Sequence, residues 1–245
     1  MFVVVDNMEK LTQEQLARYE FTASLKEVGK EGQIKLLNSS VLIVGLGGLG
    51  STVATVLTSM GVGHLGFVDF DVINPSNLPR QFLYGIKDIG KGKALTAKKL
   101  LRKKNPDVDI KTYPYRLDET NARRIIKKYD LVIDCTDNFE TKFLINDFCL
   151  KLKKPFVVAG VMDYQGEVMT VIPGKSADFK SLFSELPKSD PNEDKSVYPI
   201  AVSVVANIAA SECIKYLLNF ENLLLDSMLV VDLLKTSFKL YKITK

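Results

Sequence analysis

The feature that most constrains this chain is an apolar run feeding a glycine loop: Val41-Leu42-Ile43-Val44, then Gly45-Leu46-Gly47-Gly48-Leu49-Gly50. A continuous apolar run reads as a parallel strand buried on both faces. The pattern then continues as a helix from Gly48 to Met60. Strand, glycine turn and helix in that order let backbone N–H groups and a helix N-terminus approach a phosphate closely. A second strand, Leu65-Gly66-Phe67-Val68, closes on Asp69, where an acid binds a ribose hydroxyl. These features alone suit a NAD(P)-dependent oxidoreductase as well as an ATP-binding enzyme.

The alternation of strand and helix continues. A Lys-rich helix is expected from about Gly90 to Lys104, a strand over Ile110–Tyr113 and a helix over Thr120–Tyr129. Leu131–Asp134 reads as a buried strand, Asn138–Leu152 as a helix, and Pro155–Val161 as a strand paired with Gly166–Ile172. A polar helical segment from Leu11 to Leu37, capped by Thr12, precedes them. The fold class is therefore α/β, a Rossmann-like doubly wound sheet, mostly parallel, with antiparallel C-terminal strands. One domain is expected over 1–245: an N-terminal helical segment (1–38), a nucleotide-binding core (39–173), a mobile crossover loop (174–198), and a C-terminal helix, Pro199–Leu218, with two strands around Leu229 and Lys239 (199–245).

Composition narrows the chemistry. The chain has 245 residues and a net charge of +4, with basic residues densest over Arg123–Lys128. No aromatic residues interleave with that patch, so it reads as a solvated helix face and no nucleic-acid partner is expected. No run approaches the ~20 apolar residues of a membrane span, and Met1–Val5 meets Asp6 too soon for a secretory signal. A cytoplasmic location is expected. The three cysteines, Cys135, Cys149 and Cys213, form no CxxC pair, which argues against a disulfide framework and a zinc knuckle. His64, in a glycine-flanked turn, is the only histidine, which argues against His-based triads and multi-histidine metal sites.

The segment after Asp69 separates the nucleotide readings. Asp71, expected among the ligand contacts, is followed by Asn77-Leu78-Pro79-Arg80-Gln81 and then by Lys93. Both cations follow C-terminal strand ends, where ligands bind in such sheets. Arg80 and Lys93 suit a triphosphate, because a carboxylate attacking an α-phosphate needs fixed cations to screen the approach. Asp137, in Asp134-Cys135-Thr136-Asp137-Asn138, can hold Mg²⁺ through one carboxylate plus water, or cap the next helix.

GLGGLG, the D-F-D strand end, SNLPRQ, D-I-G-K-G-K and DCTDN occur in that order. As a linked set they resemble the ThiF/MoeB/HesA family of E1-like activating enzymes, from Arg18-Tyr19 through Gly160 and again near Ile214-Lys215. The resemblance implies ATP, Mg²⁺, a homodimer and a ubiquitin-like partner such as ThiS or MoaD ending in Gly-Gly. It implies that Gly48, Asp69, Asn77, Arg80, Gln81, Lys93 and Asp137 form the nucleotide site. Asp69 would hold ribose, Arg80 and Lys93 the phosphates, and Asp137 the magnesium. Three departures stand out. Phe21 replaces the second arginine of R-Y-x-R-Q, with Arg18 a candidate substitute. The zinc-binding CxxC pairs are missing, so no zinc is expected. No cysteine lies between Lys175 and Tyr198.

The expected function is adenylation of the carrier's C-terminal glycine, with pyrophosphate released and sulfur arriving from a separate donor. A hydride-transfer oxidoreductase and a nucleotide-binding scaffold without activity are the alternatives. Cys135 is expected to pack beneath the nucleotide, Cys149 and Cys213 to be buried, and Phe179 and Phe183 to help clamp the carrier tail.

Overall fold

The computed structural model describes residues 10–183, 187 and 196–243, and the first element among them is helix α1 (Gln13–Arg18). Thr12 Oγ1 accepts from Gln15 N at 3.2 Å and Gln15 Oε1 accepts from Thr12 N at 3.0 Å, a capping box. The expected N-terminal helical segment is three helices, continuing with α2 (Glu20–Ala23) and α3 (Gly29–Leu37). The breaks fall at Tyr19 and over residues 24–28, and α3 starts at Gly29, whose φ of 63° lies in the left-handed region.

Then follow β1 (Ser40–Val44), α4 (Gly48–Ser59), β2 (His64–Val68), α5 (Lys93–Lys104), β3 (Asp109–Tyr113), α6 (Ala122–Ile126), β4 (Leu131–Asp134), α7 (Phe139–Leu152), β5 (Phe156–Met162), β6 (Gln165–Val171), α8 (Pro199–Leu217), β7 (Ser227–Asp232) and β8 (Ser237–Lys242). They build one sheet in the order β3-β2-β1-β4-β5-β6-β7-β8. The strands from β3 to β5 pair in parallel, and β5 through β8 pair antiparallel. The chain moves outward from β1 through β2 to β3, then returns to place β4 on the other side of β1. That reversal is a topological switch point, and the C-terminal ends of β1 and β4 flank it.

Alternation along each strand sorts the core. Val41, Ile43, Leu131, Ile133, Val157 and Ala159 face α4, α5 and α8. Leu42, Val44, Val132, Phe156 and Val158 face α6 and α7. Each fully buried aliphatic side chain contributes about 1.5–3 kcal/mol, so both faces of these strands stabilise the sheet.

Several elements differ from expectation. His64 begins β2 instead of lying in a turn. Helix α5 starts at Lys93, because Gly90 takes a φ of 83° and Gly92 bridges back to Val72. Helix α6 starts at Ala122, because Asp118 Oδ1 gathers Thr120 N, Thr120 Oγ1 and Asn121 N into a turn. Helix α8 has the length and mean hydropathy (1.4) of a membrane span, but 56% of it is buried against the rest of the chain. It packs on α4, β5 and β6.

The crossover loop expected over 174–198 begins as ordered core. Ala177 and Phe179 are buried, and Phe179–Leu182 forms a 3-10 turn. Residues 184–186 and 188–195 of that expected loop lie outside the described residues.

Candidate active site

The glycine loop is held from three sides. Gly45 N donates to Val68 O at 2.9 Å, Leu46 N to Asp69 Oδ2 at 2.7 Å, and Tyr84 Oη to Leu46 O at 3.1 Å. Space then dictates glycine at two positions. A Cβ on Gly50 would stand 1.8 Å from Gly45 O, and Gly45 itself has a φ of 86° with Cys135 O 2.8 Å from any added Cβ. Gly47 caps α4, and the first-turn amides that follow it have no acceptor within the helix. They form the positive end of the helix dipole.

Asp69 stands beside this loop. Its Oδ2 accepts from Leu46 N, and its Oδ1 accepts from Asp71 N at 2.8 Å. Burial holds its carboxyl above the usual range, opposed by those two amides. Each oxygen keeps a lone pair, so Asp69 can still accept from a ribose hydroxyl.

The two cations reach the same edge by different routes. Lys93 is 6% exposed, and its Nζ lies 3.0 Å from Asp71 Oδ2. Asp71, expected among the ligand contacts, is thus the counter-ion of Lys93. Arg80 Nη1 donates to Ser76 O at 2.8 Å, and the Arg80 carbonyl lies 3.3 Å from where a Cβ on Gly48 would stand. Asn77 Oδ1 accepts from Asn74 N at 3.1 Å, which fixes the 3-10 turn Pro75–Asn77, and Arg80 N donates back to Asn77 O at 3.1 Å. Gln81 is 2% exposed with Nε2 beside Gly47 and Oε1 without a hydrogen-bond partner. Buried polar atoms of that kind call for an explanation, and a ligand at the glycine loop supplies one.

Across the switch point, Asp134 ends β4 fully buried. Its Oδ1 accepts from Thr136 N at 2.9 Å and Thr136 Oγ1 at 2.7 Å. The alternative of Asp137 as helix cap is not what forms. Asn138 caps α7, with Oδ1 accepting from Thr141 N at 2.9 Å. Asp137 is exposed, and its Oδ1 accepts from Asn138 Nδ2 at 3.5 Å. Among the described residues no group of three or more His, Cys, Asp or Glu could hold a metal ion. Asp137 fits only an ion that takes its other ligands from phosphate and water, as Mg²⁺ does.

The structure brings Gly45, Gly47, Gly48, Gly50, Asp69, Asp71, Asn77, Arg80, Gln81 and Lys93 around one sheet edge, with Asp137 on the facing loop. Arg18 is elsewhere. It bonds Asn105 Oδ1 at 2.8 Å and Asp107 Oδ2 at 2.7 Å, at the far end of α5 from Lys93. Within one chain it cannot stand in for the arginine replaced by Phe21, which is 89% exposed. Phe179 cannot clamp a partner either. It is 1% exposed and packs with Phe143 and Phe183 at ring distances of 5.8 and 5.2 Å.

Cys135, Cys149 and Cys213 are all buried, and burial pushes each thiol well above its ordinary range. Cys135 packs against the glycine loop, its Cβ 3.3 Å from where a Cβ on Gly50 would lie. Sequence reasoning missed Tyr84, Val202 and Lys142. Val202 of α8 touches the glycine loop at Gly48, and Lys142 of α7 pairs with Asp134. Their partners are remote in sequence, and only the Lys142 position, on the helix after DCTDN, carried any local signal.

The chain is similar to known proteins in sequence and in fold. The ThiF family profile matches residues 19–245. The sulfur carrier protein adenylyltransferase of Thermus thermophilus is 38% identical over 236 residues, covering 93% of this chain and 87% of that protein. The probable adenylyltransferase/sulfurtransferase MoeZ of Mycobacterium tuberculosis is 33% identical, and the match spans 99% of this chain but 64% of MoeZ. Among solved structures, E. coli MccB with MccA-N7isoASN superposes with a TM-score of 0.85 at 22% identity, over 93% of this chain and 72% of that one. PaaA superposes at 0.82 and 22% identity, over 100% of this chain and 78% of that one. At that identity both show a shared fold. With the profile running from Tyr19 to the last residue, the chain belongs to the ThiF family.

Proposed function

We propose that this chain is an ATP-dependent adenylyltransferase that activates the C-terminal glycine of a small ubiquitin-like sulfur carrier, of the ThiS or MoaD type. The observation that carries the reading is the convergence of a glycine loop, a ribose-type acid and two cations on one switch point. The similarity to the Thermus thermophilus enzyme supports the same reading.

In this account the first-turn amides of α4 hold phosphate oxygens, and Asp69 accepts from the ribose. Arg80 and Lys93 screen the triphosphate, with Lys93 exchanging its bond to Asp71 for phosphate. Asn77 shapes the turn that presents Arg80, and Gln81 offers its buried amide to the ligand beside Gly47. A carrier carboxylate oxygen attacks the α-phosphorus. A new P–O bond forms, the bond to the bridging oxygen breaks, and pyrophosphate leaves with the electron pair. The cations lower the repulsion between anions, so catalysis is positioning and charge screening without a protein nucleophile. Bound Mg²⁺ would add charge stabilisation to the phosphates, with Asp137 as its protein ligand.

The buried thiols favour release of the adenylate to a separate sulfur donor. We further propose that residues 1–245 act as one adenylation domain, that two copies assemble, and that the protein works in the cytoplasm without a zinc ion. The test is incubation of a Gly-Gly-ended carrier with enzyme, ATP and Mg²⁺, followed by intact mass spectrometry. An adenylyl adduct on the carrier terminus is expected, and an unmodified carrier across a panel of such proteins contradicts the reading. The scaffold alternative draws on Phe21 and on the neutralisation of Lys93 by Asp71. It predicts ATP binding with no adduct. The oxidoreductase alternative leaves Arg80, Lys93 and Asp137 without a task.

A further inference from the structure

Lys142 is buried where a packing residue would serve. Its side chain is 7% exposed, and Nζ lies 3.5 Å from Asp134 Oδ2 while donating to Ala159 O at 2.9 Å. At 3.5 Å the contact is an ion pair and not a hydrogen bond, so Asp134 Oδ2 has no hydrogen-bond partner. Two buried charges with one orphaned oxygen are a poor way to stabilise a core. Elsewhere on its buried face α7 uses Phe143, Ile145 and Cys149.

The location suggests what the charges are for. Asp134 Oδ1 holds both the amide and the hydroxyl of Thr136, the residue before Asp137. The same loop packs on the glycine loop, since a Cβ on Gly45 would lie 2.8 Å from Cys135 O and 3.4 Å from Thr136 N. One helical turn on, Asn146 Oδ1 accepts from Phe179 N at 3.0 Å. One face of α7 therefore fixes the Asp137 loop, the middle of β5 and the segment after β6 at Phe179.

We propose that Lys142 is a positioning residue: its ammonium orients Asp134, which through Thr136 presents the Asp137 carboxylate to a phosphate-bound divalent cation. The cation rests on the adenylation reading, whereas the ordering of the loop does not. A neutral side chain at 142 leaves Asp134 buried without a counter-charge. The carboxylate then turns outward, and Thr136 loses its anchor.

The experiment combines two readouts on Lys142→Met and Lys142→Arg. Hydrogen exchange on the ligand-free protein follows the Thr136 amide against the Ile43 amide at the centre of β1. Electron paramagnetic resonance follows Mn²⁺ binding in the presence of a non-hydrolysable ATP analogue. Lys142→Met should speed exchange at Thr136 and leave Ile43 unchanged. It should weaken Mn²⁺ by about 10- to 100-fold, the usual effect of losing a residue that orients a metal ligand. In pyrophosphate exchange it should raise the Mg²⁺ half-saturation while KM for ATP at saturating metal stays put. Lys142→Arg keeps the charge and should retain wild-type values. A folded Lys142→Met protein with unchanged Thr136 exchange and Mn²⁺ affinity overturns the proposal, and so does equal loss in both variants. If Lys142→Met does not fold, Asp134→Asn is measured in the same way, and unchanged values there also overturn it. If the wild type binds neither the analogue nor Mn²⁺, the adenylation reading fails, while exchange at Thr136 still decides the role of Lys142.

Discussion

Gly48→Ala probes the joint between the glycine loop and α8. The added Cβ would lie 2.7 Å from Val202 Cγ1 and 3.3 Å from Arg80 O. Optimal carbon–carbon separation is about 3.5–4.0 Å, so the methyl overlaps Val202 by roughly 1 Å and presses on the backbone of Arg80. Overpacking of this size costs about 1–3 kcal/mol. Val202→Ala alone leaves a small cavity under the loop, with a loss of about 1–2 kcal/mol on the scale of buried methyl deletions. Together the changes should compensate, because the space vacated at 202 receives the methyl at 48. The double variant should be more stable than the sum of the single losses predicts by about 1–2 kcal/mol. Urea unfolding of the four proteins gives the cycle, and KM for ATP gives the functional counterpart. The Arg80 contact persists in the double variant, so KM should recover only in part. Strictly additive losses, or full recovery of KM, would show that the methyl does not meet these two partners.

Changing Cys135, Cys149 and Cys213 together to Ser should leave carrier adenylation intact, read by intact mass. In the wild type the folded thiols stay protonated while unfolded ones ionise, so stability is fully present below the ordinary thiol pKa of about 8.5. Above it, stability should fall by about 1.4 kcal/mol per thiol per pH unit. Urea midpoints between pH 8 and pH 10 should show that fall in the wild type and lose it in the triple-Ser protein. Protein purified without a metal-affinity tag should contain no stoichiometric zinc by elemental analysis, and one zinc per chain would refute this. Light scattering at micromolar concentration should give the mass of a two-fold dimer, and a monomer would contradict the assembly proposed above.

The sheet's parallel half was legible because strands buried on both faces are continuous apolar runs. Val41–Val44 and Leu131–Asp134 lie within β1 and β4 almost residue for residue. The glycine loop and Asp69 were legible because the turn chemistry is local. Contacts between remote segments were not. Lys93 reads as a free cation until the fold sets Asp71 beside it. Asp134 closes an apolar run and Lys142 lies within the next helix, but only the fold shows that β4 and α7 bury the two charges together. Phe179 sits in a polar stretch and looks available to a partner, yet Asn146 and the ring of Phe143 draw it into the core. Arg18 looks near the site by position in the chain, but α5 separates the Asn105–Asp107 anchor from Lys93 by its whole length.

The central claim is that Arg80 and Lys93 screen a carboxylate's attack on ATP, and exchange of labelled pyrophosphate into ATP tests it most directly. Exchange by the wild type should require both Mg²⁺ and a Gly-Gly-ended carrier. Arg80→Ala and Lys93→Ala should each lower it by about 30- to 1,000-fold, equivalent to about 2–4 kcal/mol of transition-state stabilisation. Full exchange activity in both variants, or wild-type exchange without a carrier, would contradict the account.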